Sequence, residues 1–331
     1  MNENYKNVLI TGGCGRLGRQ CYYELHNEYN ITLLDRVAPD KQPFPWKPEK
    51  DCKFVMGELT SLEDCMRAIL LSKADCILHL AAITHATEVG RFVYQREPED
   101  LCWDVNMNGT YYLLEAARRL GVKKVIFASS YYATGINHNA SGMPWEIPSL
   151  PVDENQPCQP QDSYSLSKCL NEKMLECYGN AYGYRTVSFR LLGISNPYVP
   201  KPVNVDVPVT DKNKDGFHDD TYQYVDSRDI AYAMHLALDK DCERQHEVFN
   251  LVTAKRYPES TAEFAAKHWP TIAEACKNIP EYQGGKEDVG LFSITKIRRE
   301  LGYEPKCRWE GSEYYPGYAP GDHRDDGSIV E

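Results

Sequence analysis

Tyr164 and Lys168 stand four residues apart in "SYSLSK". On a helix that spacing puts both on one face. A phenol ordinarily keeps its proton to about pH 10, and a nearby ammonium favours the phenolate. A tyrosine so tuned can take or return the proton of an alcohol while a hydride leaves or arrives at the adjacent carbon. A second group of residues suits a hydride carrier. In "NVLITGGCGRLGRQ", residues 7–20, Gly12, Gly15 and Gly18 recur every third position behind an apolar run. Glycine permits the tight turn and lets the backbone approach a pyrophosphate, which the N–H groups and dipole of a helix start attract. Asp35 follows Gly15 by about twenty residues, the spacing of an acid that accepts hydrogen bonds from a ribose 2′-hydroxyl. Its charge favours NAD over NADP. Arg16 and Arg36 offer guanidinium groups to a 2′-phosphate; solvated charge or stacking on adenine is the alternative for both.

Regular elements must position these groups. "NVLIT", "NITLLD", "CKFVMGELT", "ADCILHLAA", "KKVIFASS", "RTVSFRLLG" and "HEVFNLV" read as strands. Helices are predicted between them. They include "LGRQCYYELHNE", "SLEDCMRAILL" with its Ser cap, "MNGTYYLLEAARRLG" stopped by Gly121, "SYSLSKCLNEKMLECYGNAYG" and "VDSRDIAYAMHLALDK". Strands alternating with crossover helices predict an α/β fold: a doubly wound parallel Rossmann sheet with a small C-terminal substrate lobe. Residues 1–192 with 224–252 are expected to bind the dinucleotide. Residues 193–223 and 253–331 make the lobe and a polar tail, with small helices at "STAEFAAKHW" and "SITKIRRELGY". Ser130 closes a strand of this sheet, at the edge where sites on parallel sheets lie.

Composition narrows the partners. The 331 residues carry a net charge of -11, so nucleic acid is not an expected partner. No apolar run approaches a membrane span, and "MNENYKNVLI" lacks the charged start and apolar block of a secretion signal. The twelve cysteines include no Cys-x-x-Cys pair and read as reduced thiols of a cytoplasmic protein, with Cys14, Cys21, Cys65 and Cys76 in core elements. No metal site is expected, because the nine histidines show no ligand spacing beside the cysteines.

The motifs taken together resemble the extended short-chain dehydrogenase/reductase group, the NAD-dependent epimerase/dehydratase family. The resemblance rests on the glycine loop, Asp35, "HLAA", "NMNGTYYLLEAA", "FASSYYATG", "YSLSK", "YVDSRDIA" and "SITKIRRELGYEPK", in the family's order along nearly the whole chain. It implies that Tyr164 is the acid/base. Lys168 would lower its pKa and hold the nicotinamide ribose, and Ser130 would hydrogen-bond the reacting oxygen. Leu17 belongs to the glycine loop of the cofactor site. Glu58 and Leu59 fall beside adenine, where the family usually has Asp and an apolar residue. Leu80, Ala81 and Ala82 would line the cofactor groove, and Asn106 matches an Asn on the helix beneath it. Family members commonly pair through the helices of "NMNGTYYLLEAA" and Tyr164, so a homodimer is an expectation of the resemblance.

The chain departs from its sugar-nucleotide relatives in one region. Many of them carry Arg-x-x-Asn after the sixth strand, whose Asn touches the diphosphate. Here "RLLGISNP" places Gly193 at that position. The family's later glycine-acid-glycine turn is missing, and the segment from Gly193 to Tyr224 is short for a lobe that wraps a nucleotide. The short lobe, "FASS" followed by bulky residues, and "SKC" partially resemble uronate dehydrogenase. Thr84, His85, Tyr131 and Tyr132 are candidates for the substrate wall; the alternatives are loop packing for the tyrosines and a backbone-bonded loop histidine for His85. Arg190 reads as a structural strand-end arginine rather than a carboxylate anchor. The expected function is NAD-dependent hydride transfer from a secondary alcohol of a sugar or sugar acid. Its alternatives are a (nucleotide-)sugar epimerase or dehydratase that keeps NAD bound, and a dinucleotide-sensing regulator on the same fold.

Overall fold

The computed structural model describes residues 5–42, 45–48, 52–83, 99–136, 147–196 and 221–308. They fall into two compact units. The first holds residues 1–129, 162–189 and 231–248, and the second residues 130–161, 190–230 and 249–331.

Seven strands make the main sheet: β1 (Asn7–Thr11), β2 (Asn30–Asp35), β3 (Lys53–Met56), β4 (Cys76–His79), β5 (Lys124–Ser130), β6 (Arg185–Leu191) and β9 (His246–Leu251). Their order is β3-β2-β1-β4-β5-β6-β9. β1 pairs in parallel with β2 and with β4, β2 with β3, and β4 with β5. The chain runs outward from β1 to β3 and then returns to β4, so the order reverses between β1 and β4. Parallel sheets open a crevice at the carboxyl ends of strands at such a switch. This is the α/β Rossmann architecture that the alternation of elements predicts.

The crossover helices α1 (Arg16–Leu25), α2 (Leu62–Ser72), α4 (Gly109–Leu120) and α5 (Ser163–Tyr182) follow β1, β3, a short α3 (Glu99–Trp103) and β5. Leu9, Leu34, Ile77, Val125 and Phe127 of the sheet pack with Cys65 and Ile69 of α2 and with Leu113, Leu114 and Ala117 of α4. Such strands, buried on both faces, need no polar alternation, which explains their continuous apolar runs. Cys14, Cys21, Cys65 and Cys76 are buried, and all twelve cysteines are free thiols.

Four boundaries differ from the sequence expectation. The third strand stops at Met56 rather than continuing through "GELT", because the Asp64 carboxylate takes the Glu58 N–H (3.0 Å) and turns the chain into α2. Ser61 caps that helix through the Asp64 N–H. α1 ends at Leu25, three residues early, as the Glu28 and Tyr29 N–H groups both fold back onto the Leu25 carbonyl. The helix expected from Met107 opens instead on a π turn, Asp104–Asn108, that leads into α4. The helix expected from "VDSRDIA" begins only at Ser227, as α6 (Ser227–Asp239), since Val225 and Asp226 belong to a strand. The Asp226 carboxylate then takes the Arg228 N–H (2.9 Å).

That strand, β8 (Gln223–Asp226), lies in the second unit between β7 (Ile194–Ser195) and β10 (Ala254–Lys255). The sequence gives no warning of this three-stranded sheet, because two-residue strands carry no periodicity. α7 (Thr261–His268) starts on a capping box of Ser260 and Glu263. Phe264 stacks on Tyr257 with ring centroids 3.8 Å apart. Two shorter helices follow, α8 (Ala273–Cys276) and α9 (Thr295–Leu301). The insertion expected at Ser195–Tyr222 lies largely outside the described residues, and the polar tail "PGDHRDDGSIVE" lies wholly outside them.

Candidate active site

A cavity of about 480 Å³ opens where the glycine loop, the end of β2 and the chain after β4 converge. Gly12, Gly15, Arg16, Leu17 and Gly18 form one side, Asp35, Arg36, Glu58 and Leu59 a second, and Leu80, Ala81 and Ala82 a third. Its volume suits a cofactor or drug-sized ligand. The first unit supplies every lining residue.

The loop is shaped by what side chains would obstruct. Gly12 holds φ +64°, and a β-carbon on it would stand 2.8 Å from Ala81 Cα. On Gly18 a β-carbon would stand 2.5 Å from the Gly13 carbonyl oxygen. Gly15 is the N-cap of α1, which has no side-chain cap and no acid in its first turn. The N–H groups there are left to an anion. Asp35 Oδ2 accepts the Cys14 N–H (3.1 Å), so one carboxylate both fixes the loop and faces the cavity. Burial raises its pKa, opposed by N–H groups of Val37, Cys14 and Arg36. Behind the loop, the Trp46 indole N–H donates to the Cys14 carbonyl (2.9 Å). These residues fit a dinucleotide: a bare helix start for the pyrophosphate and an acid for a ribose. Asp35→Asn keeps an acceptor for the Cys14 N–H but loses the charge. We expect NAD affinity to fall by about tenfold and NADP to gain relative to NAD, both read by fluorescence titration.

A buried polar chain supports the floor. His79 Nδ1 bonds Thr11 Oγ1 (2.8 Å) and its Nε2 bonds Thr110 Oγ1 (2.9 Å). Thr110 Oγ1 donates to the Asn106 carbonyl (2.6 Å). Burial drives the His79 pKa down to about 3, so the imidazole is neutral. Asn106 does not line the cavity. It is buried, and its side chain accepts the Ile83 N–H (2.8 Å) and donates to the Ile83 carbonyl (2.9 Å). It therefore pins the wall segment after Ala82 from behind. The same cavity is lined by Thr11, Thr60, Ile83, Leu101 and Val105, which the sequence reading missed. The apolar pair Leu101 and Val105, four apart, was the available signal.

On α5, Asp162 caps the helix by accepting the Ser165 N–H (2.9 Å), which sets Tyr164 in its first turn. Lys168 is buried; its Nζ donates to the Ala128 carbonyl (2.7 Å) and lies 5.6 Å from the Tyr164 ring centroid. Burial pushes its pKa down to about 7. In the unfolded chain the same ammonium keeps its proton to about pH 10.4. Between those values the unfolded state binds more protons, so this group's contribution to stability rises with pH. The gap in melting temperature between Lys168→Met and wild type should therefore narrow from about pH 7 to about pH 10; a pH-independent gap would return Lys168 to an ordinary lysine.

Ser130 ends β5, buried, in the second unit, and its Oγ accepts the Tyr132 N–H (3.2 Å). Tyr131 is buried, its ring 4.5 Å from that of Tyr132 and 5.6 Å from that of Phe292. Arg190 is buried, with Nη1 on the Glu154 carbonyl and Nη2 on Cys158 Sγ. Thr84 and His85 lie outside the described residues. Among the described residues no cluster of three or more His, Cys, Asp or Glu is arranged to hold a metal ion, and no helix is long and apolar enough to cross a membrane.

Residues 8–251 match the model of the NAD dependent epimerase/dehydratase family. The chain belongs to that family. NAD is accordingly the cofactor of its group, and its members are enzymes. As an epimerase/dehydratase family member the chain is 24% identical to a mouse dTDP-D-glucose 4,6-dehydratase, over 92% of this chain and 86% of that protein. It is 27% identical to the uronate dehydrogenase of Pseudomonas putida, over 61% of this chain and 64% of that protein. The solved UDP-glucose 4-epimerase of Thermus thermophilus, a complex with NAD, is 25% identical with a TM-score of 0.59, over 91% of this chain and 94% of that one. Four other curated relatives are matched over only 51% to 56% of their own length.

Proposed function

We propose that this protein is an NAD-dependent oxidoreductase that acts on a secondary alcohol of a sugar or sugar acid. The observation that carries this reading is the Tyr164–Lys168 pair on α5, with the lysine buried against the end of β5. Bound NAD supplies the hydride acceptor. Tyr164 takes the proton of the substrate hydroxyl as the carbon–hydrogen bond breaks. Lys168, held by the Ala128 carbonyl, favours the phenolate electrostatically and binds the ribose hydroxyls. Ser130 is assigned to the reacting oxygen. Residues 193–223 and 253–331 are assigned to the substrate lobe. Exposed Tyr111 on α4 and Leu166 and Leu170 on α5 support a homodimer through those helices.

Purified protein with NAD should release NADH when given members of a panel of aldoses, uronates and polyols. A second reading is favoured by the epimerase and dehydratase relatives, which align along most of the chain. In it the same residues would move the proton of a sugar hydroxyl, and bound NAD would supply the acceptor for a hydride that is returned to the sugar before NAD leaves. NAD that co-purifies, UDP-sugar interconversion and no free NADH would decide for this second reading and against the first.

A further inference from the structure

Gly193 and Arg256 meet in the second unit, within the segments assigned to the substrate lobe, and neither has a role of its own in the chemistry above. Gly193 follows β6 almost directly, and its carbonyl accepts the Val225 N–H (3.0 Å). A β-carbon on Gly193 would stand 3.3 Å from Arg256 Nη2 and 3.7 Å from the Gln223 carbonyl oxygen. Most side chains at this position would press on the guanidinium; glycine leaves it room. The arginine follows β10 and is fixed at its backbone, where its N–H donates to the Tyr222 carbonyl (2.7 Å). Tyr222 itself holds φ +48°, a conformation that a non-glycine residue adopts only when its surroundings impose it.

Among the described residues, one donor of the guanidinium is left without an acceptor. Arg256 Nε is buried with no hydrogen-bond partner. The contrast with its neighbours is clear: Lys255 pairs with Asp288 (2.8 Å) and Arg228 with Asp226 (2.9 Å), whereas Arg256 has no carboxylate among the described residues. A buried donor left unpaired is costly, and a guanidinium is permanently charged with a planar fork that matches carboxylate and phosphate oxygens. Its tip stands beside the carboxyl end of β6, the end of a parallel strand at which ligands of such sheets bind.

We propose that Arg256, given room by Gly193, anchors an anionic group of the substrate, a carboxylate or a phosphoryl group. That the rest of the ligand is a carbohydrate rests on the oxidoreductase reading above; the anion site itself does not. Calorimetric titration of NAD-loaded protein with glucuronate, glucose 6-phosphate, UDP and neutral glucose tests it without requiring turnover. At least one anion should bind wild type, and Arg256→Gln should weaken that anion by about tenfold or more. NAD affinity and melting temperature should stay unchanged. The glucuronate arm identifies a carboxylate, and the other two a phosphoryl group. Gly193→Val, which leaves the charge but crowds the guanidinium, should weaken the same anion, and it carries the test if Arg256→Gln fails to fold. Equal binding to wild type and variant, or no preference of wild type for any anion over glucose, would overturn the proposal. Arg256-dependent anion binding with no NADH from any substrate would instead leave the anchor standing and remove the oxidoreductase reading.

Discussion

Tyr164→Phe lowers the rate of hydride transfer by roughly 100- to 10,000-fold while leaving NAD affinity intact. The substitution removes one hydroxyl and keeps the ring that stands 5.6 Å from Lys168 Nζ. The lysine retains its bond to the Ala128 carbonyl, so the end of β5 and the start of α5 stay joined. What disappears is the only group in this pair that can exchange a proton with an alcohol and still be anionic. Single-turnover measurement of NADH formation separates the chemical step from binding and release. A variant that keeps roughly a tenth or more of the rate would remove Tyr164 from the acid/base role. A sensor built on the same fold would keep its function entirely, so the substitution also separates an enzyme from a regulator.

Gly18→Ala should have the second large effect, and on a different quantity. The added carbon would lie 2.5 Å from the Gly13 oxygen and 2.6 Å from the Gly12 oxygen. Both obstacles are backbone atoms of the loop, which cannot rotate aside as a side chain can. α1 must move away from β1, or the loop must open, and in either case the N–H groups at the helix start lose their aim. We expect NAD affinity to fall by about 5- to 150-fold, with a lower melting temperature, because overpacking a tight site costs about 1–3 kcal/mol. Fluorescence titration and a thermal melt read the two effects separately. Gly121→Ala is the control, since a β-carbon there meets nothing within 4 Å; its left-handed φ of +74° makes it cost stability without touching NAD binding.

The two substitutions differ in how far the sequence alone discloses their basis. The glycines, Tyr164 and Lys168 are legible because each group is local: three residues of one turn, or one turn of one helix. The strand order is nearly as legible, because alternating strands and helices leave few topologies open. What stays hidden is assembled from distant residues. The chain from Thr11 through His79 to Thr110 joins three elements, and no spacing marks it. The π turn around Asn106 differs from an α-helix by less than one residue per turn, too little to shift an apolar pattern five residues long. Gly193 reads from sequence only as a missing Asn; its proximity to Arg256, sixty-odd positions later, exists only once β7, β8 and β10 have come together.

Trp46 limits how far the glycine loop can act apart from the rest of the fold. Its indole grips the Cys14 carbonyl from the rear, and its ring packs near Tyr22 and Tyr23 of α1. None of these aromatic residues belongs to the nucleotide-binding pattern, yet they hold its shape. The motif is therefore not a portable module. Residues 7–20 grafted onto another strand and helix would arrive with the Cys14 carbonyl ungripped.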